Sequence, residues 1–342
     1  MLDRRNSEYR AYTISKIREI PQISVLPKDV QFEMEVVANV LPFKVNNYVI
    51  DELINWDNPL QDPMFILTFP QKDMLLPHHF DEMAKAIKSG ADKKSLSITA
   101  NNIRMQLNPH PAGQSEHNVP ALSSGEKLPG IQHKYNDTVL FFPSSGQTCH
   151  AYCSFCFRWP QFVGMNELKF AAKEGDTLVS YLEEHPEITD LLFTGGDPMI
   201  MKAKTFEQYI NPILESNIET LKTIRIGSKA LSYWPYKFVE GDNEDQQILK
   251  VFEKITNAGY HLSFMAHFNH YRELGTSVVE EAISRIRSTG AEIRTQSPLL
   301  KHINDDSETW AQMWTKQVNL GCIPYYMFVV RDTGAQHYFG VP

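Results

Sequence analysis

From residue 138 onward the chain alternates short apolar runs with longer segments whose apolar residues recur at i, i+3, i+4 and i+7. Strands are predicted over 138–142, 190–193, 222–226, 261–266, 291–296 and 323–330. Between them, Phe206/Tyr209/Ile210/Ile213, Ile248/Val251/Phe252/Ile255 and Val279/Ala282/Ile283/Ile286 trace the buried faces of helices. Gly259, Gly290 and Gly321 stand where a left-handed residue would stop a helix before the next strand. Strands joined through helices form a parallel sheet with right-handed crossovers, so the expected fold is α/β, a partial (β/α)6 barrel, closed or partly closed. In such a barrel the residues after each strand meet at one mouth. Here those are Cys149 to Cys156, Gly195-Gly196-Asp197, Ser228-Lys229, His267 to His270, Gln296-Ser297 and Arg331-Asp332.

Upstream, residues 1–108 read as a mostly helical region. Residues 109–130, with Pro109, Pro111, Pro120, Pro129, Gly113, Gly125 and Gly130, read as a linker or loop. The barrel is assigned to 131–342, ending just after the sixth strand.

Composition narrows the function classes. The 342 residues carry 33 Lys+Arg against 41 Asp+Glu, a net charge of −8, with no basic run. Nucleic-acid and membrane-surface binding are therefore disfavoured. No stretch approaches the ~18 apolar residues of a membrane span. The opening Met1-Leu2-Asp3-Arg4-Arg5-Asn6 leads into no signal-like segment, so a cytoplasmic protein is expected. Of four cysteines, three fall within eight residues, a clustering that suits metal ligation rather than a disulfide framework.

Cys149-His150-Ala151-Tyr152-Cys153-Ser154-Phe155-Cys156 has C-x3-C-x2-C spacing. Three thiolates so placed can hold three corners of a cubane cluster and leave the fourth iron without a protein ligand. An open iron can take the amino and carboxylate groups of S-adenosylmethionine, and one electron passed through the cluster then releases a 5′-deoxyadenosyl radical. The competing reading is a non-catalytic zinc-binding module, with His150 or Cys322 as fourth ligand. Zinc motifs usually pair two knuckles, and no second one exists here. The spacing, with Phe155 just before the third cysteine, resembles the signature of the radical S-adenosylmethionine enzymes. Cys149, Cys153 and Cys156 are thus candidate [4Fe–4S] ligands and Phe155 a candidate cofactor contact.

Further segments extend the likeness. Cys156-Phe157-Arg158-Trp159, Phe193-Thr194-Gly195-Gly196-Asp197, Arg225-Ile226-Gly227-Ser228, His267-Phe268-Asn269-His270-Tyr271-Arg272-Glu273, Gln296-Ser297-Pro298-Leu299-Leu300 and Pro324-Tyr325-Tyr326 occur in the order found in the lysine 2,3-aminomutase family. The chain resembles that family from about residue 40 to 342. The resemblance implies an isomerase that moves an amino group from C2 to C3 of an amino acid through a 5′-deoxyadenosyl radical. It implies a [4Fe–4S] cluster, S-adenosylmethionine and pyridoxal phosphate as cofactors, and an electron donor such as flavodoxin or ferredoxin. It assigns Gly195, Gly196 and Asp197 to the methionyl amino group, His267, Gln296 and, more weakly, Ser228 to S-adenosylmethionine, and Arg158 to the substrate α-carboxylate. The chemistry is compatible: a glycine pair admits a ligand to the backbone, a carboxylate suits an ammonium and a guanidinium suits a carboxylate. Gly-Gly-Asp-Pro is equally good material for a plain strand-to-helix turn.

Two departures bear on substrate and cofactor. The family's Gly-rich lysine segment, which anchors pyridoxal phosphate, is absent, and Thr138 stands where the family has an arginine. Either the chain is truncated after Gly340-Val341-Pro342 or it is a pyridoxal-free enzyme acting on another substrate. Where the lysine enzyme has an aspartate for the ε-ammonium, this chain has Arg331, with Asp332 beside it. Arg331 would favour an acidic or neutral side chain, whereas a one-residue slip would let Asp332 do the aspartate's work. A last strand without a covering helix should expose apolar edge, so self-association as a homo-oligomer is expected.

Overall fold

The computed structural model describes residues 8–108, 118–164, 171–172, 176–239 and 247–342. Of the expected linker, residues 109–117 lie outside the described residues; 118–130 run as a loop with one bridge, Ala121 to Lys127.

The six expected strands are present with bounds moved by a few residues. Preceded by two short strands, β1 (Ala11–Thr13) and β2 (Lys44–Asn46), and by β3 (Ile131–Tyr135), they are β4 (Thr138–Phe141), β5 (Asp190–Phe193), β6 (Thr223–Ser228), β7 (His261–His267), β8 (Glu292–Leu299) and β9 (Ile323–Val329). β3 through β9 form one curled seven-stranded sheet in chain order, parallel from β4 onward. β3, unpredicted, adds antiparallel to β4 through a two-residue turn at Asn136-Asp137. Its one buried residue is Ile131, too little apolar alternation to read as a strand. β1 and β2 likewise add a small antiparallel pair to a region expected to be mostly helical.

The period of two sorts side chains between core and cavity. Leu191, Phe193, Ile224 and Ile226 are fully buried against the outer helices. The interleaved Leu192, Arg225, Gly227, Met265, His267, Gln296, Tyr326 and Phe328 face the inside of the curl. Helices Ala203–Ser216, Gln247–Asn257 and Ser277–Ser288 bury the apolar faces expected of them. Gly259, Gly290 and Gly321 take φ of +90°, +86° and +76°, as stops ahead of β7, β8 and β9.

The N-terminal helices Lys28–Val40, Pro63–Thr68, Pro77–Lys88 and Lys93–Leu107 share one continuous apolar core with the barrel. Arg272 ties the two parts by pairing with Asp62 and donating to the Leu53 carbonyl. At the far side β9 is an open edge: Tyr325, Met327 and Val329 are more than half exposed. A four-residue helical turn, Gln336–Phe339, follows it and buries Phe339 beside Phe155, while β9 itself stays open. No helix among the described residues is long and apolar enough to cross a membrane.

Candidate active site

The cysteine loop leaves the C-terminal end of β4 and is pinned from below by the N-terminal region. Tyr152 N donates to the Lys44 carbonyl of β2 at 2.8 Å, and Lys44 Nζ donates to the Cys149 carbonyl at 2.7 Å. Ser154 N and Oγ donate to the carbonyls of Leu67 and Ile66 at 2.9 and 2.7 Å. Those carbonyls lie in the last turn of helix Pro63–Thr68, where the helix itself leaves acceptors unused. So fixed, Cys149, Cys153 and Cys156 line one cavity of about 440 Å³, with no disulfide among them.

Burial pushes the Cys153 thiol up to about 12 and raises Cys149 and Cys156 as well; for Cys149 the nearby Asp197 and the other two sulfurs add to it. A coordinated thiol is deprotonated outright, so metal loading here releases protons. Three half-buried thiols lining one cavity fit a cubane, which takes one thiolate per iron. A mononuclear zinc site is a poorer match. Among the described residues no three His, Cys, Asp or Glu side chains converge on a single ion, and neither proposed fourth ligand, His150 or Cys322, lines the cavity.

Gly195-Gly196-Asp197 follows β5 on the adjacent wall. A Cβ on Gly196 would stand 2.6 Å from the backbone N and O of Thr148, and Gly195 has φ +131°. The glycine pair is therefore required by close contact with the bend at Gln147-Thr148 that leads into the cysteine loop. Asp197 accepts from Ser228 Oγ at 2.7 Å and from the N–H groups of Met199 and Lys229, each at 2.9 Å. Burial raises its pKa and these donors oppose the rise. Asp197 thus binds the turn to the end of β6, with Ser228 as its partner.

Behind Ser228 lies a network that the sequence only partly revealed. Lys229 Nζ pairs with Glu273 Oε1 at 2.5 Å and donates to Asn269 Oδ1 at 2.8 Å. Because the Asn269 oxygen faces that ammonium, its amide nitrogen faces His267 Nε2, at 3.1 Å. His267 therefore accepts at Nε2 and carries its proton on Nδ1. Burial, with the Lys229 charge, holds its pKa well below the ordinary imidazole value, so the ring is neutral. Gln296 sits beside His267 in register on β8, and Phe155 contacts the His267 ring at 5.8 Å between centroids.

The third wall is cationic. The Arg158 guanidinium lies over Phe142 at 4.5 Å and Phe157 at 5.2 Å, and Arg331 lies over Phe157 at 5.1 Å. Burial lowers Arg158 to about 10, which leaves it charged at neutral pH. Among the described residues no carboxylate pairs with either arginine. Thr333 N caps the Arg331 carbonyl at 2.9 Å and Gly334 N donates to the Leu107 carbonyl at 2.8 Å. The turn held in this way brings Arg331 to the cavity and leaves Asp332 off it. Twelve of the thirteen candidate residues thus share one cavity, Asp332 being the exception. Lys229, the lysine on its wall, is locked to Glu273 and Asn269, so these residues do not fit pyridoxal phosphate, which needs a free amine.

Sequence reasoning missed Tyr233, whose hydroxyl meets Cys153 Sγ at 3.3 Å, and the pinning role of Lys44 and Ser154. All three contacts span long sequence separations that no local motif records.

No protein-family model matches the chain. A solved structure of Streptococcus suis SuiB bound to S-adenosylmethionine aligns at TM-score 0.37 and 13% identity over 86% of this chain and 61% of that one, too distant to carry weight. The L-lysine 2,3-aminomutase of Escherichia coli is 26% identical over 62% of this chain and 57% of its own length. The chain thus spans little more than half of that relative. A putative L-lysine 2,3-aminomutase of Aquifex aeolicus is 31% identical over 327 residues, 95% of this chain and 74% of that protein. With the cysteine loop and the strand-end residues gathered on one cavity, an identity sustained over nearly the whole chain makes this protein a member of the radical S-adenosylmethionine lysine 2,3-aminomutase family.

Proposed function

We propose that this chain cleaves S-adenosylmethionine at a [4Fe–4S] cluster held by Cys149, Cys153 and Cys156, and acts on an amino acid with an acidic side chain, following the 2,3-aminomutase pattern of its relatives. One observation carries the reading: three thiols and two guanidiniums that have no carboxylate partner among the described residues line the same cavity of about 440 Å³. When bound, the cluster supplies the electron that breaks the sulfonium bond of S-adenosylmethionine. The protein's part is placement. The Gly195-Gly196 backbone, Gln296 and the neutral His267, with Nδ1–H as donor, seat S-adenosylmethionine, and Phe155 packs beside it. Arg158 takes the α-carboxylate of the substrate and Arg331 takes a side-chain carboxylate. A lysine ε-ammonium would meet Arg331 as a like charge. Phe142, fully buried, backs the Arg158 guanidinium, while Arg331 and Phe157 stand at the exposed rim of the cavity. A flavodoxin or ferredoxin is the proposed reductant, in the cytoplasm.

The locked Lys229 favours, as a second reading, a pyridoxal-free radical enzyme within the same family. The test is anaerobic: reconstitute with iron and sulfide, add S-adenosylmethionine, dithionite and β-deuterated glutamate, aspartate or lysine, and measure 5′-deoxyadenosine and its deuterium. Product lost in Cys153→Ala and deuterated by an acidic amino acid supports the proposal. Product that persists in Cys153→Ala refutes the cluster assignment, and deuterium from lysine alone refutes the substrate class. Rearrangement that needs added pyridoxal phosphate counts against the second reading.

A further inference from the structure

Tyr233 belongs to the short helix Ala230–Tyr233 after β6, and its side chain is fully buried. Its hydroxyl stands 3.3 Å from Cys153 Sγ and has no other hydrogen-bond partner among the described residues. Lys229 Nζ lies over one face of the ring, 4.7 Å from its centroid, and Asn46 Nδ2 fixes the main chain by donating to the Tyr233 carbonyl at 2.7 Å. Full burial and these two contacts hold the phenol beside Cys153. A neutral thiol could donate to the phenol oxygen, but a metal-bound thiolate has no proton, so the phenol must then be the donor.

We infer that Tyr233 hydrogen-bonds the Cys153 thiolate of the bound cluster and raises the cluster's reduction potential. The inference rests on the cluster assignment above and concerns a residue that touches neither substrate nor S-adenosylmethionine. Reduction adds one electron from an external donor and moves no proton: Tyr233 keeps its hydrogen in both states. The reduced cluster is more negative, so a fixed donor to its sulfur stabilises that state more than the oxidised one. A charge-assisted hydrogen bond differing between the two states by about 1.4 kcal/mol changes the reduction equilibrium tenfold, about 59 mV for one electron.

The experiment is a redox titration of the reconstituted protein, followed by electron paramagnetic resonance of the reduced cluster, for wild type, Tyr233→Phe and a protein with 3,5-difluorotyrosine at 233. Iron and sulfide per chain are measured alongside. Phe keeps the ring and its cation contact and removes only the donor, so the midpoint should fall by about 59 mV at unchanged iron content. Difluorotyrosine is the more acidic donor, so the midpoint should rise. A purely structural residue would not move the potential in opposite directions. Unchanged midpoints with full loading overturn the inference and leave the cluster assignment standing. Should the Phe variant fail to load iron, the difluorotyrosine protein decides, and a midpoint equal to wild type overturns the inference. Wild type that binds zinc and no iron overturns the cluster assignment and this inference with it.

Discussion

Glu273 is buried to zero exposure and does three things at once: it pairs with Lys229, and it accepts from the N–H groups of Asn269 and His270. Replacing it with leucine strands a buried ammonium and two backbone donors. Breaking one side of a buried ion pair costs about 3–5 kcal/mol, because the remaining charge has lost its compensation. Lys229 would retain only the Asn269 oxygen at 2.8 Å, the His267 carbonyl at 3.2 Å and a marginal Ser232 contact at 3.5 Å. Removing the charge as well, in Lys229→Met/Glu273→Leu, leaves neutral unpaired groups in place of a buried charge, the Asn269 and His270 N–H groups and the Asn269 oxygen, each costing about 1–3 kcal/mol to desolvate. The double variant should therefore be more stable than Glu273→Leu alone, with a coupling energy of at least ~1.5 kcal/mol. Urea unfolding of the cluster-free protein under reducing conditions, followed by far-ultraviolet circular dichroism, measures all four corners of the cycle. A Glu273→Leu loss below ~1 kcal/mol, or a double variant no better than the single, would refute the view that Lys229 is a structural cation rather than a free amine.

Arg158→Ala should weaken binding of an acidic amino acid about tenfold or more, as loss of a charged hydrogen bond does, while iron content stays constant; isothermal titration and iron analysis read the two separately. In Gly196→Ala the new Cβ would meet Thr148 N and O at 2.6 Å, so the lead into the cysteine loop must shift. A strain of about 1–3 kcal/mol should appear as severalfold lower iron uptake with the helix signal retained. Burial lowers the pKa of His267, and that of His270 to about 4, so the unfolded chain binds protons below 6.5 that the folded chain refuses. Stability is then full above pH 6.5 and declines as pH falls, by about 1.4 kcal/mol per unit for each ring, for His270 until about pH 4. A urea midpoint no lower at pH 5 than at pH 7 would contradict this. The β9 edge should drive concentration-dependent association in light scattering, and Val329→Lys, at a residue 73% exposed, should reduce it.

The strands β4 to β8 were legible because their alternate residues are buried against helices, and the three helices flanking them because one face of each is fully apolar. β3 was not, since it is held mainly by backbone pairing to β4 and buries only Ile131. The strand-end residues could be placed at one mouth because parallel topology leaves little choice. The Arg331/Asp332 alternative could not be decided from spacing, because the direction of each side chain depends on a turn fixed through Leu107, more than 220 residues upstream. The glycine pair was read as room for a ligand, while its immediate cause is the neighbouring backbone of Thr148. Tyr233 left no trace in any motif, since its partner is 80 residues away in sequence.

The pinning of the cysteine loop also bears on biosynthesis. Its anchors, Lys44, Ile66 and Leu67, precede the loop residues they hold by 87 to 108 positions. A ribosome therefore releases the anchors first, and helix Pro63–Thr68 can be in place when Cys149 emerges. The last wall of the cavity, β9 with Arg331, is made some 170 residues later still. During that interval the thiols are not yet walled in by β9 and Arg331. Translation order thus favours loading the metal before completing the pocket, and slowing synthesis downstream of Cys156 should raise the yield of metallated protein.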